Sequence, residues 1–65
     1  MASMTMRIDN QVIETRWFPN SHLLIEGYLQ GLKQDLLEQN DDIIKLSKKA
    51  PEFEVQVTQR KITRN

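Results

Sequence analysis

Apolar residues recur along the middle of the chain with the period of an α-helix. Their spacings alternate between four and three residues, and at 100° per residue they fall within about 100° of arc. The seam consists of Ile25, Leu29, Leu32, Leu36, the polar Gln39, Ile43, Leu46 and Ala50. The pattern predicts a long amphipathic helix with a near-heptad seam, and either Asn20 or Ser21 can act as its N-cap.

The segment around Asn40 decides whether this helix is continuous. Residues 39–42 contribute the polar seam member and three poor helix formers in a row. An unbroken helix from Ser21 to Lys49 would be about 43 Å long, which exceeds what a chain of this size covers alone. Two alternatives follow: the helix breaks near Asn40 and folds back, or its far half packs on a second chain.

The first eighteen residues have the alternating pattern of extended structure. Met4, Met6 and Ile8 alternate with polar residues, and residues 12–17 are rich in β-branched and aromatic side chains. The pair Asp9-Asn10 is a turn signal, because both side chains can bond nearby backbone. A hairpin closed there would pair Ile8 with Gln11 and Met6 with Ile13, and would place Trp17 on the apolar face. The competing interpretation is a single long strand.

A second extended segment follows the helical region. Pro51 ends the helix, because the residue before a proline is disfavoured in the α conformation. Residues 53–58 then alternate cleanly, with Phe53, Val55 and Val57 on one face. The sequence therefore predicts one small α+β domain over residues 1–65. Its order is a β-hairpin or strand, a long or broken amphipathic helix, and a strand that joins the same sheet, with residues 1–3 and 60–65 expected to be flexible.

The length of the chain makes its stability a physical problem. At 65 residues with no cysteine and one histidine, it has no disulfide and no good prospect of a structural metal. Below about 70–80 residues a single core rarely supplies more than ~3–5 kcal/mol. We therefore expect a homodimer or higher oligomer, although domains of this size also fold alone. The expected self-association residues are Ile25, Leu29, Leu32, Leu36, Ile43 and Leu46.

Charge is segregated along a chain whose net charge is zero. Residues 26–44 sum to −4 and residues 45–65 sum to +4. A neutral total argues against a dedicated nucleic-acid coat, but the basic C-terminal third leaves room for an anionic contact. Strand followed by two helices is also the element order of ribbon-helix-helix repressors. As the alternative function we therefore keep a small DNA-binding regulator, with contacts expected from Arg7, Asn10, Gln11, Arg16, Lys45, Lys48 and Lys49.

Candidate chemistry is sparse. His22 is the single histidine, and the sequence offers it neither an orienting partner nor a nucleophile. Glu38 and Asp42 are four residues apart, but two carboxylates make a weak metal site. Gly27 and Gly31 indicate either close packing on the back of the helix or tolerated surface glycines. We expect no catalytic residues, no metal site and no cofactor.

The remaining expectations concern location and role. The longest uninterrupted apolar run is three residues, far short of the roughly 20 that cross a bilayer. The first residues lack the basic and apolar regions of a secretory signal. A cytosolic location fits a chain without cysteine. The function that we predict is a non-enzymatic protein-interaction or regulatory module that binds itself, and possibly another protein, through its amphipathic helix.

Overall fold

A computed structural model describes residues 1–58 as a three-stranded antiparallel sheet with two short α-helices. Strand β1 (Ala2–Ile8) is followed by β2 (Gln11–Phe18), a 3₁₀ turn (Asn20–Leu24), helix α1 (Tyr28–Gln39), helix α2 (Asp41–Ser47) and strand β3 (Glu52–Val57). The order in the sheet is β2-β1-β3, so β1 is central and the C-terminal strand is an edge. The predicted α+β class is confirmed, and so is the joining of β3 to the same sheet.

The hairpin between β1 and β2 closes on a two-residue turn at Asp9-Asn10. Both residues have positive φ, 53° and 67°, as a type I′ turn requires. Ile8 pairs with Gln11, as predicted. The turn therefore settles the choice between a hairpin and one long strand.

A β-bulge in β2 changes which of its side chains face the helices. The register shifts between Met6 and Arg7, so Met6 pairs with Glu14 and leaves Ile13 as the extra residue. The predicted pairing of Met6 with Ile13 is wrong for this reason. The prediction that Trp17 lies on the apolar face is wrong as well: Trp17 pairs with Ser3 on the other face and is 61% exposed. Its neighbour Phe18 is the buried aromatic instead.

The core lies between the helix-facing side of β1 and the helices. Its buried apolar side chains are Ala2, Met4, Met6, Ile8, Phe18 and Leu36, and seven partly buried side chains pack around them. Residues 2 and 3 belong to β1 and are buried, which differs from the flexible start that we expected. The expectation of flexibility at residues 60–65 falls outside the described residues.

The helical region starts later than the sequence predicts. Asn20 to Leu24 form a 3₁₀ turn without a side-chain cap, and the α-helix begins only at Tyr28. Gly27 separates the two with φ at 79°, a left-handed conformation that a glycine adopts without strain. Ile25 consequently lies outside any helix. The predicted N-cap at Asn20 or Ser21 is wrong, because both residues lie inside the 3₁₀ turn, whose N-cap is Pro19, and Gly27 is the N-cap of α1.

The helix breaks at Asn40, as the first of the two alternatives predicted. The Asn40 backbone leaves the helical region with φ −114° and ψ 22°. Its side-chain amide donates to the carbonyl of Leu36 at 2.9 Å and to Glu14 Oε1 at 2.9 Å. A buried asparagine with two acceptors therefore fixes the point at which α1 ends and α2 begins.

Candidate functional site

The structure divides the predicted self-association residues into two groups. Leu36 is 0% exposed, and Leu29 and Leu32 pack against the same core. These three side chains are occupied by the chain's own sheet. Ile43 and Leu46 are exposed, and so is Ile25 ahead of α1. The part of the seam left for another molecule is therefore found at its two ends.

Helix α2 presents its apolar residues in two directions. Ile44 packs on the core, whereas Ile43 is 44% exposed and Leu46 is 83% exposed. The last two are three residues apart and share a helical face. Ile44 continues the core-facing positions Leu36 and Asn40 at four-residue intervals, which leaves Ile43 and Leu46 facing outward. We call Ile43 and Leu46 the α2 surface.

A shallow pocket adjoins the α2 surface. Its volume is about 280 Å³, at the lower limit for small-molecule sites. The pocket lies between the hairpin turn and α2, and an ion pair between Lys49 Nζ and Asp9 Oδ2, 2.9 Å long, closes one side. The lining residues are Ile8, Asp9, Gln11, Ile13, Ile43, Ser47 and Lys49.

A polar cluster ties β2 to α1. The bulge turns Glu14 and Arg16 toward the helices, where the Arg16 guanidinium donates to Glu14, to Asp35 at 2.9 Å and to Gln39. Its hydrogen bonds to Glu14 and Asp35 raise the pKa of Arg16. The hydrogen bond from Asn40, followed by that from Arg16, lowers the pKa of Glu14. Every charged member is matched within the chain, so the cluster positions α1 over the β2 side of the sheet.

Most of the predicted nucleic-acid contacts are paired with acids of the same chain. Arg7 lies 3.5 Å from Glu54, and Arg16 belongs to the polar cluster. Lys45 lies 3.0 Å from Asp41, and Lys49 is paired with Asp9. The remaining candidates, Asn10, Gln11 and Lys48, are exposed. In addition, β1 has a neighbour on each side, whereas a ribbon-helix-helix strand needs a free edge to pair with its twofold mate.

The described residues give no support to catalytic chemistry. His22 is partly buried and packs edge-on against Tyr28, with ring centroids 4.8 Å apart, and its Nδ1 has no hydrogen-bond partner. Within residues 1–58 no three acidic or histidine side chains are grouped as a metal site would need. An added Cβ at Gly31 would meet no atom within 4 Å, so this glycine is a surface glycine and not a close-packing device.

Two exposed valines on β3 were not expected from the sequence. Val55 and Val57 pair with Met4 and Ala2, so their side chains point toward the helix-bearing side of the sheet. They are nevertheless 40% and 47% exposed. The polar cluster ties α1 to β2, and Lys33 of α1 lies over the ring of Phe53, so α1 leaves the end of β3 at Val55 and Val57 uncovered. The alternating pattern indicated the strand but carried no signal of where α1 would lie across it.

Comparisons with known proteins give no match to this chain. No protein-family model matches it, and neither a curated protein nor a solved structure does. In the described part of the chain, neither helix has the length and apolar character needed to traverse a bilayer.

Proposed function

We propose that this protein is a non-enzymatic interaction module that binds a second copy of itself through the α2 surface. The proposal takes Ile43 and Leu46 as the centre of the contact, with a regulatory or adaptor role built on the assembly. A cytosolic setting is part of the proposal, because a chain without cysteine gains nothing from an oxidising compartment.

The observation that carries the proposal is the exposure of Leu46. A leucine that is 83% exposed beside a second apolar side chain on the same helical face is costly to leave in water. Covering an aliphatic side chain contributes about 1.5–3 kcal/mol. A matching surface on a second copy would cover both side chains in each chain at once, since a twofold contact buries the same patch twice.

The small core supports the proposal independently. Six apolar side chains are buried within residues 1–58, and of the helical seam only Leu36 is among them. A domain of this size buries only about 60% of its unfolded surface on folding. Association adds buried apolar area that the chain cannot supply alone, and makes the stability of the fold depend on protein concentration.

The test is the mass of the protein in solution, measured by size-exclusion chromatography with light scattering over a range of concentrations. We expect a mass of at least twice the chain mass of 7.7 kDa at micromolar concentration. Leu46→Asp should lower that mass, because a carboxylate in the contact would be desolvated without a partner. Leu24→Asp is the matched control, since Leu24 is 89% exposed at the other end of the helical region.

Two results would overturn the proposal. One is a wild-type protein that stays at the mass of a single chain at every concentration. The other is a Leu46→Asp variant that keeps the wild-type mass. Circular dichroism shows whether the Leu46→Asp variant is still folded. Leu46→Ser provides a milder substitution at the same position. The DNA-binding alternative is less favoured, because four of its seven expected contact residues are paired with acids in the described part of the chain.

A further inference from the structure

Strand β3 presents a free edge to solvent. Within the described residues its one neighbour is β1. The sequence Glu-Phe-Glu-Val-Gln-Val contains no lysine or proline, the residues that most commonly protect an edge strand from pairing, and its charged residues are the two glutamates. The other edge differs, because the bulge at Ile13 interrupts β2. The two edges are therefore unequal, and β3 is the regular one.

The hydrogen-bonding pattern between β3 and β1 shows which backbone groups of β3 point away from the sheet. The N–H of Thr58 donates to the carbonyl of Met1 at 2.9 Å, which makes these two a hydrogen-bonded pair. Such pairs alternate along an antiparallel ladder, so Glu54 and Gln56 also bond to β1. The N–H and C=O groups of the odd residues Phe53, Val55 and Val57 point away from the sheet. The outward backbone groups thus belong to the same residues whose side chains face the helix-bearing side.

We infer that this edge pairs antiparallel with β3 of a second copy of the chain, about a twofold axis at Val55. The two three-stranded sheets would join into one sheet of six strands. Val55 would face its own counterpart, and Phe53 would face Val57 of the second copy. The exposed valines would then be flanked by apolar side chains. Helix α1 reaches β3 only at Phe53 within the described residues, where Lys33 Nζ lies 5.1 Å from the ring centroid, so Val55 and Val57 stay open to the second copy.

The register follows from the backbone and from the charges together. With the axis at Val55, three hydrogen-bonded pairs form within β3, each exchanging two bonds. Each Glu54 faces a Gln56, which can donate to its carboxylate, and Phe53 faces Val57, an aromatic and β-branched combination that stabilises sheets. The strand is therefore complementary to itself in hydrogen bonds, charge and apolar pairing at one register.

Neighbouring registers are worse for identifiable reasons. An axis at Glu54 would set two glutamates directly opposite each other, which is destabilising, and would oppose Val57 with Pro51, which has no N–H to donate. An axis at Gln56 would leave two complete hydrogen-bonded pairs within β3 instead of three. A slip by one residue would bring inward-bonding residues to the edge, where their backbone groups are already used.

This contact goes beyond the proposed association through α2. Leu46 and Val55 lie on different elements, and each contact is twofold. Two distinct twofold contacts on one chain build a tetramer or a chain of copies, whereas either alone builds a dimer. The two proposals can therefore fail separately.

Single-cysteine variants test the register directly, because the chain has no cysteine of its own. In Val55→Cys the two cysteines would face each other in a hydrogen-bonded pair, with Cα atoms about 5.5 Å apart, within the range for a disulfide. In Val57→Cys, the matched control, the two cysteines would be four residues out of register, about 13 Å apart along the strand. We expect Val55→Cys to form the disulfide dimer at least about tenfold faster under mild oxidation.

A mixture of Phe53→Cys and Val57→Cys provides the positive cross-check. These two variants should form the mixed disulfide in preference to either symmetric one. Equal rates for Val55→Cys and Val57→Cys would indicate random collision and overturn the inference. Faster cross-linking of Gln56→Cys or Glu54→Cys would also overturn it, because the axis would then lie elsewhere.

Solution mass separates this contact from the α2 surface. Val55→Pro removes an outward N–H without touching the ladder to β1, and proline is tolerated at such edge positions. It should reduce the assembly to a dimer joined through the α2 surface, whereas Val55→Thr, which keeps the N–H, should leave the mass unchanged. Combined with Leu46→Asp it should give single chains. A Val55→Pro variant with unchanged mass refutes the strand contact, and a double variant no smaller than Val55→Pro alone refutes the α2 contact.

Discussion

Truncation of Leu36 to alanine is the sharpest test of the core. Leu36 is the one helical side chain among the fully buried apolar residues of the described chain, and it is 0% exposed. It packs with Met4 and Met6 of the central strand in the same cluster. Its removal therefore takes away the main contact by which α1 is held to the sheet.

The expected cost is large relative to the stability of so small a domain. Leucine to alanine at a buried site costs about 2–5 kcal/mol, the range depending on how far the cavity collapses. A single core in a chain of this size supplies about 3–5 kcal/mol. We therefore expect Leu36→Ala to lose most of its cooperative unfolding transition at 25 °C, while the volume-conserving Leu36→Met loses less than about 1.5 kcal/mol.

Urea denaturation followed by far-ultraviolet circular dichroism measures these differences. All variants must be compared at one protein concentration, because association would couple stability to concentration. Leu24→Ala is the matched control: the substitution is identical, but the side chain is 89% exposed, so a change within about 0.5 kcal/mol is expected. If Leu36→Ala costs no more than Leu24→Ala, then α1 does not pack on the sheet as described.

Three further predictions concern the helix, the polar cluster and the turn. Gly31→Ala should raise the free energy of unfolding by about 0.5–1 kcal/mol in urea titrations, since the added methyl meets open space, whereas Gly27→Ala should lower it because of the left-handed φ. The pKa of Glu14 is lowered from 4.5, so the ionised side chain stabilises the fold above that pH, and this stabilisation is lost as the pH falls through the folded-state pKa. Glu14→Gln should therefore flatten the pH dependence of the melting temperature below about pH 4.5. An unchanged slope would contradict this prediction. Asn10→Gly should be tolerated at the positive φ of 67°, whereas Asn10→Val should cost about 1–2 kcal/mol by calorimetry, and equal melting temperatures would argue against the type I′ turn.

Local patterns predicted the elements of this fold well. The poor helix formers after Gln39 indicated the break at Asn40, and the pair Asp9-Asn10 indicated the turn. Alternation in residues 53–58 indicated β3. Each of these features depends on residues that are close together in the sequence, so propensity and periodicity suffice to predict it.

Features that depend on long-range contacts could not be predicted in the same way. A regular hairpin assigns Trp17 to the core, and the single extra residue at Ile13 reverses that assignment for the rest of β2. Gly27, a left-handed residue near the start of the apolar seam, delays the α-helix to Tyr28, although the pattern predicted a helix that runs through it. The seam named the apolar residues of the helical region but not which of them the sheet would cover.

The position of α1 across the sheet was also beyond local reasoning. It is set by Arg16 reaching Asp35, two residues nineteen positions apart with no pattern to connect them. The exposure of Val55 and Val57 is a consequence of that position. The free edge of β3 therefore became visible only once the tertiary arrangement was known.

The contact between Arg16 and Asp35 has a consequence for how freely this domain can deform. An apolar contact tolerates displacement of a helix along its axis, because a leucine meets an equivalent apolar neighbour one helical turn away. A guanidinium held by two carboxylates and an amide has a single satisfactory arrangement, and displacement by one turn would leave charges without partners. The cluster thus fixes the position of α1 on the sheet. Substitutions of the leucines should therefore weaken the packing of α1 before they allow it to pack at another position.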